Sequence, residues 1–135
     1  MPSFLKAQSF DLEVNGFDAP AALERLLAAG SSGQGFLIEK KDDKMDIAYL
    51  GVDPFETLRV LRGRVIQETK QQRQMLSGNP FDVLESRLAN FQAVGRPFTT
   101  GAVGTLGYEM IRHIEKIPGR PRLAQEGLLM LFKEV

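Results

Sequence analysis

The sequence contains no cysteine. This absence excludes disulfides, thiolate metal ligands and a cysteine nucleophile, and it agrees with a reducing compartment, so we expect a cytoplasmic protein. Histidine occurs once, as His113, which leaves a histidine metal site or a Ser-His-Asp triad without its partners. We therefore expect His113 to be a partly exposed surface residue beside Arg112 and Glu115.

Net charge is also missing, because 17 basic side chains balance 17 acidic ones. Without a long-range field, nucleic acid and lipid head groups are poor candidate partners, and a protein partner is expected. The first six residues lack a basic patch followed by an apolar run, and no segment approaches the roughly 20 apolar residues that span a bilayer. The sequence thus predicts neither export nor membrane insertion.

What is present has the composition of an ordinary globular domain. The chain has 135 residues, of which 43% are hydrophobic and 25% are charged. A chain of this length can build one hydrophobic core, so residues 1–135 are predicted to form a single domain.

Capping signals predict two helices. Asp18 and Pro20 precede apolar residues at helical spacing, which predicts a helix over 19–29 that ends at Gly30. The pair Asn79-Pro80 predicts a second helix over residues 80–92.

Alternating apolar residues predict strands between these helices. Residues 36–38 and 47–50 are expected to form a hairpin around a solvated charged loop, and a second hairpin is expected to turn at Gly63. The polar segment 67–78 is predicted to be an exposed loop. The fold class that follows is α+β, with a mostly antiparallel sheet and packed helices.

Three other segments complete the prediction. Residues 4–14 have the alternation of an extended strand, and the apolar run 127–132 indicates a central strand covered on both sides. Gly101, Gly104 and Gly107 precede a short helical segment. Their spacing fits neither a P-loop nor a dinucleotide fold, so we expect them to allow close backbone packing rather than phosphate binding.

Segments 49–54, 79–84 and 101–118 together carry a family resemblance. The most specific is 101–118, a glycine-rich strand followed by a helix. In order and spacing the three segments resemble the amino-terminal domain of the chorismate-utilising enzymes, most of all anthranilate synthase component I. The resemblance extends from about residue 36 to the end of the sequence.

The resemblance implies a non-catalytic framework or regulatory domain. In this family the full-length protein converts chorismate to anthranilate with Mg2+, using ammonia from a glutamine amidotransferase subunit. The chorismate and metal site lies in a carboxy-terminal domain, which is absent from this chain and would be its first partner. No catalytic, cofactor or metal residue is therefore expected within 1–135.

The resemblance also implies a remnant of the tryptophan feedback pocket at Glu39 and Lys40. The family's first core strand carries two apolar residues, a glutamate and a serine, and an Arg-aromatic-Ser triplet follows. Here Lys40 replaces the serine, and Ala48 stands where the triplet ends. We expect tryptophan to bind weakly or not at all.

Two alternatives stay open. Aminodeoxychorismate synthase component I, an enzyme of folate biosynthesis, shares the glycine-rich segment, whereas isochorismate and salicylate synthases fit less well. A free-standing ligand- or protein-binding module is the other alternative. A reading frame that continues with a chorismate site would favour the enzyme fragment.

Overall fold

The computed structural model describes residues 16–44, 46–89, 101–120, 125–133 and 135. Within these ranges the chain forms helices and two antiparallel sheets, which confirms the predicted α+β class. The predicted strand 4–14 lies outside the described residues. In chain order the elements are α1 (Ala19–Ala29), β1 (Gly35–Lys41), β2 (Asp46–Val52), β3 (Glu56–Leu61), β4 (Arg64–Glu68), β5 (Arg73–Leu76), α2 (Pro80–Leu88), β6 (Gly101–Leu106), a 3-10 helix (Tyr108–His113) and β7 (Gln125–Phe132).

Both predicted helix caps are confirmed. The Asp18 carboxylate accepts a hydrogen bond from the Ala21 amide at 3.1 Å, and the Asn79 side chain accepts one from the Phe81 amide at 3.0 Å. Each cap satisfies an amide that has no partner inside the helix. Helix α1 has the predicted bounds, and α2 begins at Pro80 as predicted and ends at Leu88.

Strands β1 and β2 form the predicted first hairpin as a sheet of their own. Helix α1 packs on this hairpin, and a Cβ atom on Gly35 would lie 3.1 Å from Leu27 Cδ2. Phe36 meets Phe132 edge-on, with 4.9 Å between the ring centroids. We call α1, β1 and β2 the hairpin unit.

The remaining strands form one antiparallel sheet in the order β5-β4-β3-β7-β6. The second hairpin turns at Gly63 as predicted, where Arg62 and Gly63 have φ values of 48° and 76°. Positive φ at both turn positions suits the right-handed twist of the flanking strands. Strand β7 is internal as predicted, although Leu128 and Met130 on one of its faces are only half-buried.

The main core lies between one face of this sheet, α2 and the 3-10 helix. We call these elements, with strands β3 to β7, the sheet unit. Its buried apolar side chains come from three strands, α2 and the 3-10 helix: the cluster is Leu58, Val60, Val65, Leu84, Met110 and Leu131, with Ala102, Leu76 and others packed against it.

The prediction that residues 67–78 form an exposed loop is wrong for 67–68 and 73–76, which are strand residues, whereas residues 70–75 are exposed as predicted. Strand β4 continues to Glu68, and β5 pairs with it along a register that places Gln67 opposite Gln74. The segment has few apolar residues because β5 is the edge strand, which gains its order from backbone hydrogen bonds to β4 and needs little burial of its own.

The glycine-rich segment forms strand β6, and the helical segment after it is a 3-10 helix. A Cβ atom on Gly104 would overlap the Leu128 carbonyl oxygen and lie 2.8 Å from Leu129 Cα. The predicted role of close backbone packing is therefore confirmed for Gly104, where β6 approaches β7.

Candidate functional site

Glu39 and Lys40, the predicted ligand residues, lie near the free end of the first hairpin. Both are exposed. Glu39 is the register partner of Ala48, and Lys40 is the partner of Ile47. The structure thus places the Glu39 and Ala48 positions, which the family pattern links, directly opposite each other on neighbouring strands.

Asp53 holds the base of the hairpin unit. Its carboxylate accepts hydrogen bonds from the Ser31 amide at 3.2 Å, the Ser32 amide at 2.9 Å and the Ser32 hydroxyl at 2.7 Å. These bonds, led by the one from the Ser32 amide, hold the pKa of Asp53 below its usual value. Because Asp53 follows β2 and both serines follow α1, the carboxylate fastens the end of the helix to the end of the hairpin.

Gly30 completes this fastening. A Cβ atom at position 30 would lie 2.8 Å from one Asp53 carboxylate oxygen and 2.9 Å from the other. Asp53 also has a φ of 53°, a left-handed conformation that aspartate tolerates better than most residues. No local pattern in the sequence joins Ser31 and Ser32 to Asp53, which lies more than 20 positions later. A helix-ending glycine followed by two serines was the available signal.

The second polar site is a hydrogen-bonded chain of side chains in the sheet unit, in which Glu56 and Gln67 are buried and Gln74 is exposed. Glu56 is 1% exposed, and its carboxylate accepts hydrogen bonds from the Gln67 side chain and, at 2.5 Å, from Arg87 Nη2. The side-chain amide of Gln74 in turn donates a hydrogen bond to Gln67 Oε1 at 2.6 Å. The bonds to Gln67 and Arg87 compensate for burying a charged carboxylate.

His113 belongs to a third polar site. It is partly exposed, as predicted, but its ring contacts Glu126 rather than Arg112 or Glu115. The Glu126 side chain is 2% exposed and also accepts a hydrogen bond from the Gly63 amide at 3.0 Å. The register of β3 and β7 shifts between Val60 and Leu61, opposite Glu126. An irregularity of this kind carries no sequence pattern, which is why the pairing was missed.

None of the described residues forms a group of three or more histidine, cysteine or acidic side chains that could hold a metal ion. No helix within the described ranges is long and apolar enough to cross a membrane. The polar sites above have direct structural roles: Asp53 fastens a loop, Glu56 joins β3 to α2, and Glu126 joins β7 to the 3-10 helix.

Comparison with known proteins finds relatives that share one name. The chain is 37% identical over 110 residues to "Anthranilate synthase component 1" of Geobacillus stearothermophilus, a match that covers 73% of this chain and 22% of that protein. The protein of the same name from Bacillus subtilis (strain 168) is 30% identical over 106 residues, covering 72% of the chain and 21% of the relative.

The protein of that name from Acetivibrio thermocellus is 30% identical over 77 residues, covering 53% of the chain and 16% of the relative. The chain thus spans about a fifth of the length of the curated relatives it matches. No protein-family profile matches the chain. The resemblance found in the sequence is confirmed: the chain is related to a part of anthranilate synthase component 1.

Proposed function

We propose that this relative of a part of anthranilate synthase component 1 is the amino-terminal, non-catalytic framework domain of such a synthase. The observation that carries the proposal is the asymmetry of the sequence match. It covers 73% of this chain but only 22% of the relative from Geobacillus stearothermophilus. A sequence that is one domain of a larger enzyme is expected to match that enzyme over most of its own length but over only a small part of the enzyme.

The sheet unit supports this role because, among the described residues, its second face carries apolar side chains that are only half-buried. The core side chains lie on one face, whereas Val103, Leu128 and Met130 project from the other and are half-buried. Apolar side chains that cluster on an open sheet face favour a further layer of protein, since sheets are stable when both apolar faces are packed. We propose that the carboxy-terminal chorismate-binding domain supplies that layer.

The activity of the whole protein follows as part of the proposal. The complete enzyme would convert chorismate to anthranilate in tryptophan biosynthesis, in the cytoplasm. It would use Mg2+ bound outside this chain and ammonia from a glutamine amidotransferase subunit. This chain contributes framework and surface, and none of its residues is proposed to touch chorismate or the metal.

A chimera tests the proposal. The segment of the Geobacillus stearothermophilus relative that matches this chain is replaced by the chain itself, and anthranilate fluorescence is followed with chorismate, Mg2+ and ammonium. We expect activity from the chimera and none from the 135-residue chain alone. A Met130→Lys chimera should lose activity, because it places a charge on the face proposed to be covered. Activity of the isolated chain, or a folded chimera without activity, would contradict the proposal.

Aminodeoxychorismate synthase component I remains the second candidate. It is favoured by Lys40 and Ala48, which replace the serines of the tryptophan pocket. Complementation distinguishes the two functions: the gene that encodes this chain, with its natural continuation, should rescue a tryptophan auxotroph under the first proposal and a p-aminobenzoate auxotroph under the second.

A further inference from the structure

We propose that a cleft at the junction of the two units binds a small organic anion, namely a carboxylate attached to an apolar group. The cleft has a volume of about 510 Å3, which lies within the range of roughly 300 to 1,000 Å3 typical of small-molecule sites. Three chain segments surround it: the turn after β2, the turn after β4 and the residue that follows β7. The inference goes beyond the proposed framework role and does not depend on it.

The charge of the cleft favours an anion. Lys70 and Lys133 line it and are exposed, and neither ammonium forms a salt bridge in the part of the chain that the structure describes, although the charge of Lys70 helps to lower the pKa of Asp53. Asp53 also lines the cleft, but its oxygens already accept hydrogen bonds from Ser31 and Ser32. Two ammonium groups therefore face a single carboxylate that is already well hydrogen-bonded.

Hydrogen bonds hold the backbone segments that form the walls of the cleft. The turn after β4 is closed by a hydrogen bond from the Thr69 amide to the Gln72 carbonyl at 2.8 Å, and the Thr69 hydroxyl accepts hydrogen bonds from two further amides of that turn. The Phe55 amide donates to the Leu131 carbonyl at 2.9 Å, which ties the turn after β2 to β7. A preformed site loses less entropy on binding than one that must be ordered.

The apolar part of the ligand is suggested by Val52 and Phe55, which provide aliphatic and aromatic surface in the same cleft. The Lys133 ammonium lies 5.2 Å from the centroid of the Phe55 ring. A ligand that rests against this ring would therefore place a carboxylate attached to its apolar group close to an ammonium. This arrangement distinguishes an apolar carboxylate from a simple inorganic anion.

The test is an amide NMR titration of the 135-residue chain with phenylacetate. Phenylacetamide serves as the neutral match, and acetate as the match without an apolar group. We expect saturable shifts at the amides of Lys70, Gln71 and Lys133, with weaker binding of both control compounds. Affinity should fall as salt concentration rises, because exposed charges are screened.

Variants separate the cleft from general surface binding. Lys70→Gln and Lys133→Gln should each weaken binding by about twofold to fivefold, as expected for an exposed charge interaction. Lys70→Arg should retain binding, and Lys44→Gln, which removes a lysine from the hairpin loop, should leave it unchanged. Equal binding of phenylacetamide, equal affinity of all three glutamine variants, or no saturable shift would each overturn the proposal.

Discussion

The two units of the molecule differ in what holds them together. All six residues of the main core cluster belong to the sheet unit. In the hairpin unit, by contrast, α1 buries only Ala19, and its Leu26 is 42% exposed. A few specific contacts anchor that unit, chiefly the Asp53 hydrogen bonds and the edge-on packing of Phe36 against Phe132.

The stability of the fold therefore depends mainly on the sheet unit, whereas the predicted ligand residues lie in the hairpin unit. Substitutions in the sheet unit should affect the folding of the whole chain, because its buried side chains contact several elements at once. Substitutions in the hairpin unit should act locally, since few buried apolar groups of the described residues couple it to the sheet unit. Glu39 and Lys40 lie in the unit that can change with less effect on the fold.

Gly104→Ala should produce the largest effect. The added Cβ atom would overlap the Leu128 carbonyl oxygen, so β6 could no longer approach β7 as it does now. We expect a loss of about 3 kcal/mol in the free energy of unfolding, measured by denaturant titration. Thr105→Ala on the same strand is the control, because Thr105 is exposed. Equal stability of the two variants would show that β6 is not essential to the sheet unit.

Arg87→Met should have the next largest effect. It leaves the Glu56 carboxylate, which is 1% exposed, with the Gln67 amide but without its cation. Because Arg87 itself is 36% exposed, we expect a loss of about 2 kcal/mol rather than the full penalty for a buried pair.

Arg73→Met is the matched control for Arg87→Met. Arg73 pairs with Glu68 at 3.7 Å and is 66% exposed, so its loss should cost under about 0.5 kcal/mol. Adding Glu56→Gln to Arg87→Met should recover part of the stability, because no buried charge then remains. Thermal unfolding of the four proteins measures both effects, and no recovery in the double variant would contradict the electrostatic explanation.

Asp53→Asn should affect the hairpin unit alone. Hydrogen exchange is expected to quicken at amides of α1 and β1, while β3 stays protected, because the variant loses the carboxylate that fastens the end of α1. The melting temperature should fall less than in Arg87→Met. Equal loss of protection in β3 would show that the two units unfold together.

The stability of the hairpin unit should also depend on pH, because Asp53 titrates. Because its pKa is lower in the folded chain than the ordinary 3.8, its stabilising contribution is present above pH 3.8 and is lost as the pH falls through the folded pKa. The protection of the α1 amides against hydrogen exchange should therefore fall on acidification of the parent chain. The fall should be smaller in Asp53→Asn, which lacks this carboxylate.

The sequence was sufficient to predict elements whose signal is local. The caps at Asp18 and Asn79 and the turn at Gly63 each depend on a few adjacent residues, and all three are confirmed. Strand β5 was missed because an edge strand obtains its order from a neighbour rather than from its own apolar residues. The periodicity used to find strands detects burial, and β5 has little.

The polar contacts were harder to predict than the elements. Asp53 meets Ser31 and Ser32 across more than 20 positions, and His113 meets Glu126 through an irregularity in strand pairing. Neither contact is visible in local spacing. The positions of Glu39 and Ala48 came from the family resemblance, and the strand register brings them opposite each other.

Lys40→Ser should have the smallest effect on stability and is informative only for ligand binding. Because Lys40 is exposed near the end of the hairpin, we expect no measurable change in unfolding. In the active chimera, however, Lys40→Ser combined with Ala48→Ser would restore two hydroxyl groups near Glu39, the register partner of residue 48. Each restored hydrogen bond is worth about 1 kcal/mol, so tryptophan affinity should rise by about tenfold or more. Calorimetric titration of tryptophan into the chimera and its double variant measures the gain, and tight binding by the unmodified chimera would show that Lys40 does not obstruct the pocket.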